Sequence, residues 1–185
     1  MASGSRYGTI NIWDYSSFVL KCTLRQPTSR LKILLAKLDR ELMASTNANQ
    51  INVWDYSNGV LRQIIEASSH IESLISLSPS LLAGGLRDGR VQVWDTSEKS
   101  LKFSLEGHVG VVWCLCTLRD NILASGSSYP DSSIKIWSLL NQSLLYTFDS
   151  TNGGHRKDVK AMTLLKKGLL MASVSNDESI KVWRI

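Results

Sequence analysis

The 185-residue sequence lacks the features that mark several large classes of protein. Its longest apolar run, Val111 to Cys116, has six residues, whereas a membrane-spanning helix needs about 20. The first residues contain no apolar stretch of the kind that a signal peptide requires. The three cysteines are an odd number and form no Cys-x-x-Cys pair, which indicates reduced thiols. These absences predict an intracellular, cytoplasmic protein with no membrane partner.

Charge and composition exclude further classes. Basic residues outnumber acidic ones by 21 to 16, a net charge of +5, but no five consecutive residues carry charge of one sign. Nucleic-acid binding is therefore permitted but not indicated. Hydrophobic residues make up 43% of the chain, which is enough apolar surface to offset chain entropy and excludes wholesale disorder.

What the sequence does contain is a pattern repeated five times. In each copy a tryptophan follows two β-branched residues that are separated by a polar residue. The tryptophans are 41, 40, 43 and 46 residues apart, at Trp13, Trp54, Trp94, Trp137 and Trp183. Alternation with a period of two residues is typical of a β-strand. Self-similarity with a period near 40 residues indicates stacked structural repeats.

Further strands accompany each tryptophan strand. A short apolar strand precedes it, another follows it in the first four copies, and one more opens each later copy. Four strands in roughly 40 residues predict one small antiparallel sheet per copy. Because such a sheet cannot bury both of its faces alone, neighbouring sheets must stack, as in a β-propeller. The predicted repeat units are 1–28, 29–68, 69–106, 107–153 and 154–185.

The repeated unit resembles the WD40 repeat, which carries Gly-His near its start and Trp-Asp near its end. The matching dipeptides are Gly107-His108, Gly154-His155, Trp13-Asp14, Trp54-Asp55 and Trp94-Asp95, while Trp137 and Trp183 keep only the tryptophan. The resemblance covers the whole chain. It implies an all-β fold, a WD40-type β-propeller of about four to five blades with four antiparallel strands each.

The resemblance also implies a buried hydrogen-bonded tetrad of His, Ser or Thr, Asp and Trp within each blade. Two copies carry the full set, namely His108, Ser125, Asp131 and Trp137, and His155, Ser173, Asp177 and Trp183. A third copy is partial, because His70, Asp88 and Trp94 fit but Gly84 stands at the serine position. The copy around Trp54 is expected to lack the network, with Arg30, Ala44 and Ala48 at the positions of His, Ser and Asp.

Ser, His and Asp within one unit are also the ingredients of nucleophilic catalysis. Here the trio occurs twice at matching positions, which repeated architecture requires and catalysis does not, and the chain contains no Gly-x-Ser-x-Gly sequence. The three histidines lie 38 and 47 residues apart without other ligands at metal-binding spacing. The sequence therefore predicts no enzyme activity, no metal and no cofactor. Trp113, outside the repeated series, is expected to pack in the core.

The strand count leaves the ring unfinished. Three strands in the first and last units and four in each of the others make about four and a half blades, whereas WD40 rings usually have seven. A strand at Leu20 to Leu24 would complete the last blade only by leaving Thr9 to Trp13 surplus. The expected alternatives are a piece of a longer propeller, a ring completed by another chain, or an open arc whose uncovered ends favour self-association.

A stacked-sheet scaffold carries function on its loops. The predicted function is a non-catalytic scaffold for protein–protein interactions through the loop faces, with polyanion or nucleic-acid binding through basic loop residues as the alternative. An inserted turn at Ser128-Tyr129-Pro130 is the most individual loop. The basic loop residues favour an acidic or phosphorylated partner. Candidate partner-binding residues are Arg30, Glu72, Arg87, Tyr129, Arg156 and Lys157.

Overall fold

The computed structural model describes residues 1–27, 32–39, 41–166 and 170–185. Within these ranges every regular element is a β-strand, and the strands form five separate antiparallel sheets. The prediction of an all-β fold built from small antiparallel sheets is confirmed. None of the described residues forms a helix of the length and apolar character that crossing a membrane requires.

Each sheet takes its strands from one continuous stretch of the chain. The first and last sheets have three strands each, β1 (Ala2–Gly4), β2 (Thr9–Trp13) and β3 (Leu20–Arg25), and β16 (Val159–Lys166), β17 (Leu170–Ser175) and β18 (Ile180–Arg184). The second sheet comprises β4 (Leu35–Lys37), β5 (Leu42–Asn47), β6 (Gln50–Asp55) and β7 (Val60–Glu66). The third comprises β8 (Ile71–Ser76), β9 (Leu81–Leu86), β10 (Val91–Asp95) and β11 (Ser100–Leu105). The fourth comprises β12 (Val112–Arg119), β13 (Ile122–Ser127), β14 (Ile134–Ser138) and β15 (Ser143–Phe148).

The sheets stack face to face, and the hydrophobic cores lie between them. In β14, Ile134 and Ile136 pack into a core shared with the fifth sheet, whereas Trp137 packs into a core shared with the third. Because side chains alternate along a strand, the tryptophan strand serves two cores at once. Among the described residues no further sheet is stacked on the outer face of the fifth sheet, so Ile180 and Val182 of β18 are 75% and 58% exposed.

The five sheets form an arc that does not close into a ring. The first strands of successive sheets contact one another along its inner side, β4 with β8, β8 with β12 and β12 with β16. Strand β3 pairs with β2, with Leu20 opposite Trp13, so it completes the first sheet rather than the last. Strand β18 consequently forms the outer edge of the fifth sheet.

Candidate functional site

Two sets of loops meet at one edge of the stacked sheets, because antiparallel strands bring them to the same end. These are the turns between the second and third strands of each sheet and the loops that precede the first strands, which we call the front face. In the third, fourth and fifth sheets it comprises 67–70, 87–90, 106–111, 128–133, 149–158 and 176–179 together with the adjoining strand ends. Arg87, Tyr129, Arg156 and Lys157 lie in these loops, and Glu72 lies at the front end of β8. Arg30 falls outside the described residues.

The fourth sheet carries a continuous hydrogen-bond network beneath the front face. The indole Nε1 of Trp137 donates to Ser125 Oγ over 2.7 Å, and His108 Nε2 lies 2.7 Å from the same oxygen. On its other side His108 Nδ1 is hydrogen-bonded to the Asp131 carboxylate. Asp131 also accepts hydrogen bonds from Ser133 Oγ and from the N–H of Val109. The structure thus brings together the four residues of this predicted tetrad.

The fifth sheet repeats the arrangement. Trp183 Nε1 donates to Ser173 Oγ over 2.8 Å, and His155 Nε2 lies 2.7 Å from Ser173 Oγ. His155 Nδ1 is 3.0 Å from the Asp177 carboxylate, which also accepts the N–H of Arg156. In both sheets the aspartate therefore joins the turn before the third strand to the loop before the first strand.

Burial and hydrogen bonding set the charge states of the fourth-sheet network. Burial lowers the pKa of His108 below its ordinary value of 6.5, and the hydrogen bond to Asp131 offsets this only in part. Burial by itself would raise the pKa of Asp131, but hydrogen bonds with His108 and Ser133 outweigh it and hold that pKa well below its usual range. A neutral imidazole then donates from Nδ1 to the carboxylate and accepts the Ser125 hydroxyl at Nε2.

The second sheet contains a hydrogen-bond network that was not predicted by counting residues back from Trp54. Trp54 Nε1 donates to Ser45 Oγ over 2.8 Å, and Ser45 Oγ donates to Gln26 Oε1 over 2.7 Å. The Gln26 side chain also donates to the Thr46 carbonyl oxygen. The expectation that Ala44 holds the serine position is wrong, because Ser45 pairs with Asn52 just as Ser125 pairs with Lys135. Gln26 occupies the place that histidine holds in the fourth sheet.

Because Gln26 takes the place of a histidine in the second sheet, His108→Gln is a suitable variant for a pH experiment on the fourth sheet. We expect the free energy of unfolding to fall as the pH is lowered below about 6.5, because the unfolded chain then binds a proton that buried His108 resists. The stabilisation is fully present above 6.5 and is lost as the pH falls towards the lowered folded pKa. In His108→Gln this contribution disappears. Urea unfolding at several pH values between about 7.5 and 5 measures both slopes, and identical slopes would contradict the assignment.

The third sheet does not assemble its predicted partial tetrad. Trp94 Nε1 is buried and has no hydrogen-bond partner among the residues that the structure describes. Asp88 instead accepts from Arg90 and Ser68 on the loop surface. Gly84 lies so close to Trp94 that a Cβ atom there would be 2.7 Å from Cζ3 of the indole. The indole therefore occupies the space that a serine side chain would need.

The serines of these networks have no access to a substrate. Ser125 and Ser173 are 0% and 1% exposed, and each hydroxyl is already engaged by a histidine and a tryptophan. Their geometry is that of structural hydrogen bonding beneath the surface. In the ranges that the structure describes, no cluster of three or more His, Cys, Asp or Glu residues is placed to hold a metal ion.

The exposed part of the front face contains both paired and free charges. Arg87 forms an ion pair with Glu72 at 2.9 Å, and Lys160 forms one with Asp158 at 2.9 Å. Arg156 and Lys157 are exposed, and neither side chain has an ion-pair partner among the described residues. The face therefore offers these two cations to a partner.

Trp113 lies at the inner border of the front face rather than deep in a core. It sits at an irregularity in the pairing of β12 with β13, and its side chain is half-buried. The ammonium group of Lys160 lies 4.3 Å from the centroid of its ring, a cation–π contact. The expectation of simple core packing at Trp113 is thus replaced by a position between core and surface.

Comparison with known proteins gives the same architecture. The family model described as WD domain, G-beta repeat matches residues 99–138 and 142–184. The chain is 24% identical to the WD repeat-containing protein srw1 of Schizosaccharomyces pombe, over 81% of this chain and 28% of that protein. It is 29% identical to the APC/C activator protein CDC20 of Saccharomyces cerevisiae, over 72% of this chain and 23% of that protein.

The chain therefore spans about a quarter of the length of these curated relatives. Among solved structures, the computationally designed Ika8 protein superimposes on 100% of this chain and 55% of its own, with a TM-score of 0.80 and 28% identity. The repeated tryptophan strands, the hydrogen-bond networks beneath the front face and these similarities lead to one assignment. The chain carries WD40 repeats, matched at residues 99–138 and 142–184, and is similar to WD-repeat proteins.

Proposed function

We propose that this protein is a non-catalytic scaffold that binds a protein or peptide partner through its front face. The observation that carries the proposal is the placement of the five described candidate residues, Glu72, Arg87, Tyr129, Arg156 and Lys157, on one face although they are spread over 86 residues of sequence. The loops that present Tyr129, Arg156 and Lys157 are anchored from below by the networks around His108 and His155. Rigidly held loops lose little entropy on binding.

The relatives support the same class of function. The relative from Saccharomyces cerevisiae is named an APC/C activator protein, and an activator of this kind acts through contact with other proteins. A buried serine cannot act as a nucleophile, so Ser125 and Ser173 give no support to a hydrolase. We extend the scaffold role to this chain on the strength of its front face.

Affinity capture with matched variants tests the proposal. Tyr129→Ala, Arg156→Glu and Lys157→Glu combined change the front face, and Leu140→Ala, Lys99→Glu and Arg119→Glu combined change the opposite end of the sheets. We expect wild type and the opposite-end variant to capture the same set of proteins from cells that express the chain. The front-face variant should lose that set, as quantified by mass spectrometry. Equal capture by both variants would reject the front face as the binding surface.

The polyanion-binding alternative receives less support. Many basic side chains are neutralised by acidic neighbours, in ion pairs that involve Lys21, Arg62, Arg87, Arg90, Lys102 and Lys160. Phosphate-driven binding would weaken steeply as salt is added and would accept any polyanion. Titration with heparin and duplex DNA at two salt concentrations separates this alternative from a protein partner.

We also propose that the protein associates with itself through the edge of the fifth sheet. In the 185-residue chain an apolar groove beside the β18 edge is lined by Phe148, Tyr146 and Ile185, which favours joining to a second copy. Light scattering over a range of concentrations measures the mass of the protein in solution, and a monomer at every concentration would reject self-association.

The cysteines bear on the location of the protein. Cys22, Cys114 and Cys116 are free thiols, which supports the cytoplasm as the compartment.

A further inference from the structure

The fourth sheet carries a longer front-face turn than its neighbours, and this turn forms one wall of a cleft. Six residues, 128–133, separate β13 from β14, whereas four residues separate the corresponding strands of the third and fifth sheets. The cleft has a volume of about 450 Å³ and is lined by Tyr129, Ser132, Ser150 and Arg156 among others. It lies between the fourth sheet and the loop that leads into the fifth.

Hydrogen bonds to two neighbouring segments hold the backbone of this turn in place. The N–H of Tyr129 donates to the Asp158 carboxylate over 2.8 Å, which joins the turn to the fifth sheet. The N–H of Ser128 donates to the Val111 carbonyl oxygen, and the N–H of Ser132 donates to that of Ser128. The Tyr129 side chain nevertheless remains 72% exposed. An aromatic side chain presented from a fixed backbone is the type of anchor that dominates many interfaces.

The cation that lines the cleft is the Arg156 guanidinium, and the Asp131 carboxylate also lines it. Its backbone N–H is held by Asp177, while its side chain is exposed and lacks an ion-pair partner within the described ranges. The nearby carboxylates of Asp131 and Asp177 are 10% and 12% exposed and accept hydrogen bonds from histidine and serine side chains. These two carboxylates are therefore less able to form an ion pair with Arg156 than the anion of an incoming ligand. Arg87 and Arg90, elsewhere on the face, already have carboxylate partners.

An unsatisfied hydroxyl lies in the same wall. Ser132 is 4% exposed, and its Oγ has no hydrogen-bond partner in the part of the chain that the structure describes. Buried polar groups are nearly always paired, and an exception calls for an explanation such as a missing ligand. Because this Oγ is buried, the wall must shift slightly for a ligand oxygen in the cleft to accept the hydrogen bond that the hydroxyl does not make in the free protein.

We propose that this cleft binds an anionic side chain, carboxylate or phosphate, of an extended peptide segment of the partner. Arg156 receives the anion, since a guanidinium forms paired hydrogen bonds to both groups. The Tyr129 ring packs against a neighbouring apolar side chain, and Ser132 donates to the anion. The inference rests on the proposed scaffold function and specifies which part of the front face makes the decisive contact.

An array of immobilised nonapeptides tests the proposal, with each sequence synthesised with a central Asp, phosphoserine or Asn. The full chain is applied as wild type, Arg156→Gln, Tyr129→Ala and Arg119→Gln. The last is the matched control, an exposed arginine at the opposite end of β12. We expect anionic versions to bind at least about tenfold better than their Asn counterparts. Arg156→Gln should remove that preference, Tyr129→Ala should weaken all binding, and Arg119→Gln should behave as wild type.

The two anions give distinguishable results. Stronger binding of the phosphoserine peptides identifies phosphate as the group recognised, and equal or stronger binding of the Asp peptides identifies carboxylate. Equal binding of Asn peptides, or an Arg156→Gln variant that retains the preference, overturns the proposal. Absence of any bound peptide also overturns it, while the scaffold function then stands or falls on the capture experiment. Circular dichroism spectra that match wild type show that the variants are folded.

Discussion

Replacement of Trp137 by alanine is expected to lower the free energy of unfolding by about 3–5 kcal/mol. Trp137 is 2% exposed and packs in the core between the third and fourth sheets, against residues such as Val93 and Leu115. Its removal leaves a cavity that two rigid sheets cannot readily close. It also removes the N–H that donates to Ser125. Urea unfolding followed by far-ultraviolet circular dichroism measures the loss.

Trp113→Ala provides the matched control for this experiment. Trp113 is also a tryptophan on the fourth sheet, but it is half-buried and its Nε1 makes no hydrogen bond to any described residue. We expect Trp113→Ala to lower the free energy of unfolding by less than half as much as Trp137→Ala. Trp137→Phe retains much of the ring volume and serves as the measurable variant should the alanine variant not fold. Equal losses at Trp113 and Trp137 would contradict the placement of the core.

Gly84→Ser is expected to destabilise the protein by about 1–3 kcal/mol, through overpacking. Alignment of the repeats suggests the opposite, because serine at this position would supply the acceptor that Trp94 Nε1 lacks. A Cβ atom at Gly84, however, would lie 2.7 Å and 2.8 Å from two carbons of the Trp94 ring. Trp94 is fully buried, and because side chains in protein interiors are close-packed the ring can move only by displacing its neighbours. Urea unfolding compares the variant with wild type.

A second substitution identifies the cause. Phenylalanine lacks the part of the indole that would clash, so the penalty of Gly84→Ser should shrink in a Trp94→Phe background. The coupling energy from this double-mutant cycle measures the steric conflict between the two positions. An unchanged penalty would place the conflict elsewhere, for example at Ile71, whose Cγ2 lies 3.4 Å from the same Cβ position.

The sheets were predictable from sequence because each repeat places an indole at the end of an alternating strand. The networks were harder to predict, since counting back from the tryptophan fails wherever the intervening turn changes length. Only two residues separate β5 from β6, so counting from Trp54 reached Ala44 rather than Ser45. Counting forward from the preceding loop fails as well, because Gln26, His108 and His155 lie 19, 17 and 18 residues before their serines, so a count of 17 or 18 from Gln26 does not reach Ser45.

The candidate cleft shows a different limit of sequence reasoning. The insertion around Tyr129 is visible in the sequence, but its role depends on a hydrogen bond to Asp158, 29 residues further along the chain. The conflict between Gly84 and Trp94 is likewise a matter of interatomic distance. Neither residue type nor spacing records where an indole ring lies within its core.

The sharing of each hydrophobic core between consecutive sheets bears on how the chain could be divided or redesigned. The side chains of β14 enter two different cores, so a module cut at the sequence repeat carries away half of each one. A transplanted single repeat would be left with both halves open to water. The smallest portable piece is therefore a pair of sheets with the interface between them, and an engineer who exchanges repeats must exchange complementary faces together.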